Sequence, residues 1–488
     1  MKKFILKAFT LFVLLLFLLP SIRVDAGFLG IGKPGPGAPP GSWTAGEHPS
    51  SGVKSPIVFI HGLNGSSDTW LEDNDMPEIA FQNGHPTAYV NLHPSESIWT
   101  NGELLAGILP EIYDYFGEKV TIVAHSKGGV DSQTAIVYFG ADQYVKNVIT
   151  LGSPHHGSEL ANLANSSWAW WLAEIVGMRS AGTDSLMTGT MAHFRSETDP
   201  LFSHSSVPFS TISGTSWGSF GSVLFFGGLY LSSFGTNDGA VTLNSSRLPG
   251  ANEIASLRLD HFEINQGHHV FPHLQNRLTT NSKPSSSHSY EGNHINTGHI
   301  VRGGELIQQG RQDFVIEKDV QSVEVHLLAN NKLRHAQLQS PEGVTYDVKQ
   351  IQAEPSDSVF AGTYLHTFSV PTPAAGTWKL EMQHDEPTAY LAVATIDGGI
   401  SDNLQLNTSP SLTELQGSAI NEKKTTYTVH VNDQKVSDTS LSLKSIPLKQ
   451  SETYTMTIDV QGETKDGQPF ERTIITNRYV DQKGKIFE

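Results

Sequence analysis

Continuous apolar runs alternate with amphipathic stretches between residues 55 and 151, and this alternation predicts a parallel sheet. The runs Pro56–Ile60, Lys119–Ala124 and Val145–Leu151 have the length and composition of strands that are buried on both faces. Helical periodicity extends from Glu103 to Phe116 and from Val130 to Phe139. Strands that alternate with helices in this way predict an α/β domain with helices on both faces of the sheet.

The pattern changes twice after this region. Between Ser158 and Phe234 the chain becomes irregular and rich in aromatic residues, among them Trp168, Trp170, Trp171 and Trp217. This composition suits a lid over an apolar substrate and ordinary core packing equally well. Beyond Ile300, short alternating runs separated by turn residues are typical of β-sandwich modules, and a further change between residues 399 and 412 indicates two of them.

The N-terminus has the pattern of a secretory signal peptide. Lys2 and Lys3 precede the apolar run Phe9–Leu19, and Val24-Asp25-Ala26 offers small residues to signal peptidase. The run is well short of the roughly 20 residues that span a bilayer, and an uncleaved anchor is the alternative interpretation. The later apolar run from 220 to 234 is interrupted by glycine and serine. We therefore expect a secreted, extracellular bacterial protein with no stable membrane span.

Composition narrows the possible partners and chemistry. A chain of 488 residues is expected to form two or three domains. The formal net charge of −17 argues against nucleic acid or an anionic membrane as the main partner. The chain has no cysteine, which excludes disulfides, thiol nucleophiles and cysteine metal sites.

One short motif indicates a nucleophile. The segment Ala124 to Gly129 reads Ala-His-Ser-Lys-Gly-Gly, and it follows a predicted strand and opens a predicted helix. Small residues two positions before and after Ser126 permit a sharp turn that exposes the serine hydroxyl at the end of the sheet. The helix N-terminus then points at developing negative charge. Ser126 is the candidate nucleophile, and a helix N-cap serine is the alternative.

A serine nucleophile of this kind requires donors for the oxyanion. The segment Ile60 to Asn64 follows the first predicted strand, and Gly62 allows the chain to turn there. We predict that the backbone N–H groups of Leu63 and Lys127 form the oxyanion hole. The side chain of His61 is interpreted as structural rather than as a proton carrier.

The general base and its orienting acid are expected in the chain order Ser, Asp, His. Asp238 lies in an Asn-Asp-Gly turn, and His261 follows it in the sequence. His268 and His269 are rival bases. Asp260 is a rival acid, although a sequence neighbour is poorly placed to reach the ring of His261. Spacing alone leaves these alternatives open.

Five segments together carry a resemblance to a known family. The segments are His61-Gly62-Leu63, Ala124 to Gly129, Gly152 to Ser158, Asn237-Asp238-Gly239 and Asp260 to Gln266. In this order the chain resembles secreted bacterial α/β-hydrolase lipases, and it is most similar to the family I lipases and Bacillus-type esterases. The resemblance implies an α/β-hydrolase catalytic domain and a catalytic triad of Ser126, Asp238 and His261.

The chain also departs from the family pattern. Many members carry a disulfide, which this chain cannot form, and several bind calcium near the triad. The stretch after His261 is one residue shorter here and offers Glu263 instead, so the resemblance implies a possible structural calcium site without a defined ligand set. No cofactor is expected for the chemistry. His155 and His156 occupy the family's Ser-Pro-His-x-Gly-Ser loop and are interpreted as structural.

These observations predict a fold class and a domain order. We expect an α/β-hydrolase domain followed by one or two β-sandwich modules. The predicted parts are a signal peptide (1–26), a flexible leader (27–54), the catalytic domain (55–275) with a lid-like insertion (158–235), a linker (276–299), a first β module (300–400) and a second β module (401–488).

The predicted activity is hydrolysis of carboxylic esters, with lipid esters favoured by the aromatic insertion, through an acyl-enzyme on Ser126. A polyester depolymerase or a phospholipase is the alternative, with the C-terminal modules binding a surface or polymer. The non-enzymatic alternative is an adhesion protein with a vestigial hydrolase domain. The predicted partner is an ester or lipid substrate, with an interface as a possible place of binding. No nucleic-acid partner is predicted.

Overall fold

The computed structural model describes residues 38–175, 179–218, 223–279, 298–353, 363–401, 404–409, 412–432, 434–437 and 448–488. The predicted signal peptide lies outside the described residues, as do part of the predicted leader and most of the predicted linker. None of the helices in the described residues is both long and apolar enough to cross a membrane.

A seven-stranded sheet forms the centre of the N-terminal half. Its strands are β1 (Trp43–Ala45), β2 (Ile57–Ile60), β3 (Thr87–Val90), β4 (Val120–His125), β5 (Val145–Leu151), β6 (Phe209–Gly214) and β7 (Asn252–Leu257). The order across the sheet is β1-β3-β2-β4-β5-β6-β7. The short edge strand β1 is antiparallel to β3, and the other pairs are parallel. The predicted parallel α/β architecture is confirmed. The predicted flexible leader (27–54) is wrong at residues 43–45, because they form the edge strand β1 of this sheet.

Helices surround this sheet. They are α1 (Asp68–Leu71), α2 (Met76–Gln82), α3 (Ile98–Phe116), α4 (Lys127–Tyr138), α5 (Glu159–Ala164), α6 (Trp170–Ile175), α7 (Ala181–Ser185), α8 (Thr188–Phe202), α9 (Val223–Ser232), α10 (Leu243–Ser246) and α11 (Gly267–Thr279). Alternate residues of β2 enter different cores, because Val58 packs with Leu105 of α3 while Phe59 packs with Phe271 of α11. Both faces of the sheet are therefore covered, which explains the continuous apolar runs.

The segment 158–235, which the sequence suggests as one lid-like insertion, contains a strand of the central sheet. Strand β6 lies between β5 and β7, and its six residues are all buried. The part outside the sheet is therefore divided into two segments, α5 to α8 and the region of α9. The sequence did not separate them because β6, Phe-Ser-Thr-Ile-Ser-Gly, contains three polar residues and lacks a continuous apolar run.

A β-sandwich follows the α/β domain. One sheet has the order β13-β14-β10-β16-β8 and the other β12-β11-β15-β9. The strands are β8 (His299–Leu306), β9 (Gln309–Ile316), β10 (Val320–Ala329), β11 (His335–Gln339), β12 (Thr345–Asp347), β13 (Gln350–Ala353), β14 (Tyr364–Pro371), β15 (Gly376–Gln383) and β16 (Thr388–Gly398). Residues of both sheets, such as Val325, Phe368 and Trp378, form its core.

A second β module ends the chain. It combines the hairpin β17-β18 with a five-stranded sheet of order β20-β19-β21-β22-β23. The strands are β17 (Leu404–Ser409), β18 (Leu412–Gly417), β19 (Thr426–Val431), β20 (Gln434–Ser437), β21 (Glu452–Glu463), β22 (Pro469–Val480) and β23 (Ile486–Phe487). The two modules agree with the predicted fold class.

The five-stranded sheet of the first module is buried on both faces. Along β16, Tyr390 and Ala392 point into the sandwich core, whereas Leu391 and Val393 belong to a different apolar cluster. That cluster contains residues of the α/β domain, including Leu63. Because side chains alternate along a strand, one face of the sheet closes the sandwich and the other packs on the α/β domain.

Candidate active site

A strained turn between β4 and α4 holds the candidate nucleophile. Strand β4 ends at His125, α4 begins at Lys127, and Ser126 between them has φ 53° and ψ −132°. Such a conformation is costly for a residue with a side chain and persists only where the surroundings enforce it. A Cβ atom at Gly128 would lie 2.3 Å from the carbonyl oxygen of His61, so glycine is needed for the turn to pack against the loop after β2. This geometry agrees with the predicted elbow.

The structure brings Ser126, His261 and Asp238 together in one hydrogen-bonded chain. The Nδ1–H of His261 donates to Oδ2 of Asp238 at 2.8 Å, which leaves Nε2 as an acceptor. The hydroxyl of Ser126 donates to this Nε2 at 3.1 Å. The other oxygen of Asp238, Oδ1, accepts from the N–H groups of Ala240 (3.0 Å) and Val241 (2.7 Å). The carboxylate is therefore fixed by its own turn and orients the imidazole.

The rival residues from the sequence lie in other environments. Oδ1 of Asp260 accepts from the N–H groups of Phe262 and Glu263, which caps a turn. Nδ1 of His268 is 2.9 Å from Oδ2 of Asp75, and both of these side chains are exposed. The ring of His269 stacks beside that of His268, with centroids 3.9 Å apart. None of these side chains reaches the Ser126 hydroxyl through the contacts of the described residues.

The predicted oxyanion donors lie on the two segments that meet at Gly128. Lys127 is the first residue of α4, where backbone N–H groups have no acceptor within the helix. Leu63 is fully buried in the loop after β2. His61 holds this loop, because its Nδ1–H donates to the carbonyl of Gly62 (2.8 Å) and its Nε2 accepts from the N–H of Leu92 (3.0 Å). Burial lowers the pKa of His61 to about 4, so this ring stays neutral and structural.

Comparison with known proteins follows this geometry. No protein-family model matches the chain. The lipase BlEst2 of Bacillus licheniformis, in its propeptide form, is 38% identical; the match covers 92% of this chain and 100% of that chain, with a TM-score of 0.81. The mature form of the same lipase is 48% identical over 50% of this chain and 100% of that chain, with a TM-score of 0.47. The metagenomic carboxyl esterase MGS0156 is 19% identical over 48% of this chain and 72% of that chain, with a TM-score of 0.37.

The chain belongs to the bacterial α/β-hydrolase lipases and esterases. It is a carboxylic ester hydrolase, and the predicted resemblance and enzyme class are confirmed.

The candidate reacting groups of this esterase are closed to solvent. Ser126 and His261 have 0% of their surface exposed, and Asp238 has 1%. Helix α9 packs on the turn that carries Asp238, since Leu224 would be 3.0 Å from a Cβ atom at Gly239. The opposite side of α9 meets the first β module, where the ring of His326 lies 5.7 Å from that of Phe226.

Polar contacts also join the α/β domain to both β modules. Trp168 Nε1–H donates to Oδ2 of Asp459 at 3.1 Å, and Arg302 lies 5.3 Å from the centre of the same indole. The N–H of Gly189 donates to Oδ1 of Asn477 at 3.1 Å. The C-terminal half is therefore joined to the α/β domain by an extended seam, which we call the module seam, and the sequence analysis did not foresee it.

A buried ion pair directly behind the nucleophile was also missed. Nζ of Lys127 lies 2.7 Å from Oδ1 of Asp131, and both side chains are almost fully buried. The amide of Asn101 donates to the second oxygen of Asp131 at 3.2 Å. Burial raises the pKa of Asp131 to about 6 and lowers the pKa of Lys127 from its ordinary value. The spacing of four residues on a helix was the available signal, because it places the two charges on the same face.

The residues near the predicted calcium site do not fit a calcium ion. Glu263 Oε2 accepts from the N–H of Asp260 at 3.0 Å, and Asp260 caps the same turn. No group of three or more His, Asp or Glu side chains suited to a metal is found in the described part of the chain. Calcium requires six to eight oxygen ligands, which this turn does not supply, so calcium enters no step of the chemistry below. His155 is buried, with Nε2 3.1 Å from the Thr150 hydroxyl.

Proposed function

We propose that this hydrolase is secreted and cleaves lipid esters through an acyl-enzyme on Ser126. The observation that carries the proposal is the hydrogen-bonded chain from Ser126 through His261 to Asp238. In this chain His261 is the general base and Asp238 fixes its tautomer. The signal-peptide pattern of residues 1–26 supports secretion.

The proposed reaction has two acyl-transfer steps. His261 Nε2 takes the proton of the Ser126 hydroxyl as the oxygen attacks the ester carbonyl, and the N–H groups of Leu63 and Lys127 stabilise the oxyanion. The tetrahedral intermediate collapses, and the alcohol leaves with the proton from His261. Water then loses a proton to His261 and attacks the acyl carbonyl; when this second tetrahedral intermediate collapses, the acid leaves and His261 returns the proton to the oxygen of Ser126. Asp238 stays ionised throughout.

An apolar cluster beside the oxyanion loop supports an acyl chain as part of the substrate. Leu63 packs with side chains of α5, α6 and α9, among them Leu160, Leu172, Phe226 and Tyr230. On the α/β domain this cluster includes Leu63, the residue whose N–H we assign to the oxyanion, and Ala240 and Val241, which follow Asp238 closely in the chain. A chain bound along it would place its carbonyl at Ser126, and such a surface favours triacylglycerol or other lipid esters over small polar esters.

We further propose that the C-terminal half is a removable cover rather than a permanent part of the active enzyme. The catalytic residues are at most 1% exposed, and Leu391 and Val301 of the first module complete the apolar cluster. The lipase structure that covers 92% of this chain is named as a propeptide form, which supports a precursor role for the corresponding region of this chain. The enzyme would then be exported as a latent ester hydrolase.

The proposal is tested by labelling and by a substrate series. A fluorophosphonate should modify the peptide that contains Ser126 after the C-terminal half has been released, and Ser126→Ala should abolish both labelling and hydrolysis of p-nitrophenyl esters. Ser256→Ala, at an exposed position bonded to Glu253, is the matched control and should keep full activity. Wild-type rates in Ser126→Ala would disprove the nucleophile.

Polyester and phospholipid are the competing substrates. Triglycerides of increasing chain length, a phospholipid and a polyester film should be compared with the same released enzyme. The apolar cluster predicts that long-chain glycerides are cleaved fastest. Binding of residues 300–488 to the film, combined with faster film hydrolysis by the intact chain, would instead favour the depolymerase with surface-binding modules.

A further inference from the structure

The residue before the nucleophile makes a contact that the proposed mechanism does not use. His125 is the last residue of β4 and is completely buried. Its Nε2 lies 2.9 Å from the backbone carbonyl oxygen of His261, and the two imidazole rings are 4.8 Å apart. A carbonyl oxygen only accepts hydrogen bonds, so the proton of a neutral His125 must be on Nε2.

This contact gives His261 a second link to the segment that carries the nucleophile. His125 and Ser126 are neighbours in the chain, and their side chains reach the same residue at two different points. Ser126 contacts the Nε2 atom of His261, and His125 holds the main chain of His261. Two contacts thus hold the distance between the nucleophile and the base. One is the hydrogen bond between the side chains of Ser126 and His261, and the other is the hydrogen bond from His125 to the backbone of His261.

The main chain of His261 has a second anchor on the other side. Its N–H donates to the backbone carbonyl of Asp238 at 2.9 Å. Asp238 therefore holds the ring and the N–H of His261, whereas His125 holds the carbonyl. His261 lies in an irregular segment after β7, in which no strand or helix pairing fixes the backbone at this residue.

We propose that His125 is a positioning residue, which holds the backbone of His261 so that Nε2 stays in line with the Ser126 hydroxyl. The inference rests on the proposed function of Ser126 and His261, and it adds a role for a side chain that contacts neither substrate nor the reacting atoms. Burial and the neighbouring His261 keep the pKa of His125 well below its ordinary value, so this ring remains neutral and does not oppose the imidazolium that forms on His261.

Two substitutions separate the donor from the ring volume. His125→Phe keeps a planar ring but loses the donor, whereas His125→Gln offers an amide N–H close to the position of Nε2. A displacement of about 1 Å at a reacting group is sufficient to cost about a hundredfold in rate. We expect kcat of His125→Phe to fall by about tenfold to a hundredfold with little change in KM, and His125→Gln to recover most of the loss.

The matched control is His85, a buried histidine far from the site in sequence, whose Nδ1–H donates to the carbonyl of Ser55 at 2.8 Å. His85→Phe removes the same kind of hydrogen bond and should leave kcat unchanged. Melting temperatures of both phenylalanine variants show how much of any loss is simple destabilisation.

A spectroscopic measurement on the intact chain makes the test independent of activation. The Nδ1–H of His261 in its bond to Asp238 should give a low-field proton resonance, which is assigned by its loss in Asp238→Asn. In His125→Phe this resonance should shift or broaden, and in His125→Gln and His85→Phe it should remain. An unchanged resonance together with kcat within about twofold of wild type would overturn the positioning role. Absence of ester hydrolysis by the wild type after release of its C-terminal half, or activity in Ser126→Ala, would instead reject the proposed function.

Discussion

The hydroxyl of Ser126 donates to Nε2 of His261 at 3.1 Å, although neither side chain has any exposed surface. The arrangement that we assign to proton transfer is thus already assembled in the covered molecule. Activation then requires removal of the cover and no rearrangement of the reacting groups. We expect activity to appear as fast as the C-terminal half departs.

Separation of the two halves should therefore produce concentration-dependent activity. In the uncut chain the closure is intramolecular, with an effective concentration in the millimolar range. Cleavage at a specific protease site inserted in the predicted linker 276–299 makes the closure bimolecular. The cut protein should stay nearly inactive when concentrated and become active on dilution. Hydrolysis of a p-nitrophenyl ester measured over a dilution series tests this.

The same cut placed elsewhere provides the control. The turn at Glu342-Gly343 of the first β module is exposed and lies between β11 and β12. Cleavage there leaves the covalent connection between the α/β domain and β8 intact, so no activation is expected. Equal activation by both cuts would refute closure by the module seam.

A charge buried in the module seam should open the enzyme without cleavage. Leu391 is 1% exposed and faces the α/β domain from β16. Leu391→Asp places an unpaired carboxylate in an apolar environment, which costs several kcal/mol and favours the open form. The rate of ester hydrolysis by the intact chain should rise by about tenfold or more. Ile307→Asp, at a position 69% exposed on the same module, should have no effect.

A steric change provides a second route, in case Leu391→Asp unfolds the sandwich. A Cβ atom at Gly303 would lie 1.8 Å from the backbone oxygen of Trp168, across the seam. Gly303→Val therefore forces β8 and the backbone of Trp168 apart, which should favour opening of the module seam. If both variants remain folded and as inactive as the wild type, the apolar contact is not what closes the site.

Acid should weaken the closure through two histidines of the first module. Burial lowers the pKa of His299 to about 3 and that of His326 to about 4. The closed form consequently binds fewer protons than an open form in which these pKa values return to about 6.5. The closed form therefore loses stability relative to the open form as the pH falls below about 6.5, and the loss is complete near pH 4 for His326 and near pH 3 for His299. For His326 alone the loss amounts to roughly 3 kcal/mol.

The surroundings of these rings define the variants that test the acid response. His299 faces Tyr230 and Phe234 of the α/β domain, with Arg472 as the neighbouring charge. His326 faces aromatic side chains of α9, and neither of its ring nitrogens has a hydrogen-bond partner among the described residues. His326→Leu should shift the opening midpoint, followed by Trp fluorescence, to lower pH. An unshifted midpoint would contradict the assignment.

Glu159 should act in the opposite direction. Its side chain is buried at the start of α5, and burial raises its pKa to about 7. If opening restores an ordinary carboxyl pKa to Glu159, the protonated side chain stabilises the closed form. This stabilisation is complete below about pH 4.5 and is lost as the pH rises through 7. Glu159→Gln should therefore flatten the alkaline side of the opening curve and leave the acid side unchanged.

The orienting acid can be distinguished from its sequence rival. Asp238→Asn keeps the shape of the side chain but favours the wrong tautomer of His261, so kcat of the released enzyme should fall by on the order of 10⁴. Asp260→Asn removes a turn cap and should change kcat by less than about threefold. Similar losses in both variants would mean that Asp238 has no special role.

The sequence predicted the centre of the fold better than its edges. Val145–Leu151 matches β5 residue for residue, because a strand buried on both faces leaves a continuous apolar run. Strand β7 was missed, since its residues Asn252–Leu257 lie at the edge of the sheet and are mostly half-buried. Edge strands face partly to solvent, and their pattern differs little from that of a loop.

The candidate site was predicted in part for a similar reason. Ser126 was identified from a local turn, whereas Asp238 and His261 needed the family resemblance, because their meeting depends on distant segments. The contact of His125 with the carbonyl of His261 spans 136 positions and has no sequence pattern. The sequence contains one overlooked signal of the module seam: β16 is apolar at both odd and even positions near Leu391.

The five-stranded sheet of the first β module, which is buried on both faces, also makes activation irreversible. Once the α/β domain is gone, the face that carries Leu391 and Val393 loses its apolar partner and meets water. An apolar patch of this kind promotes self-association or digestion of the detached half, which removes it from the equilibrium. Each molecule of the enzyme would then be switched on once and could not be switched off by its own cover.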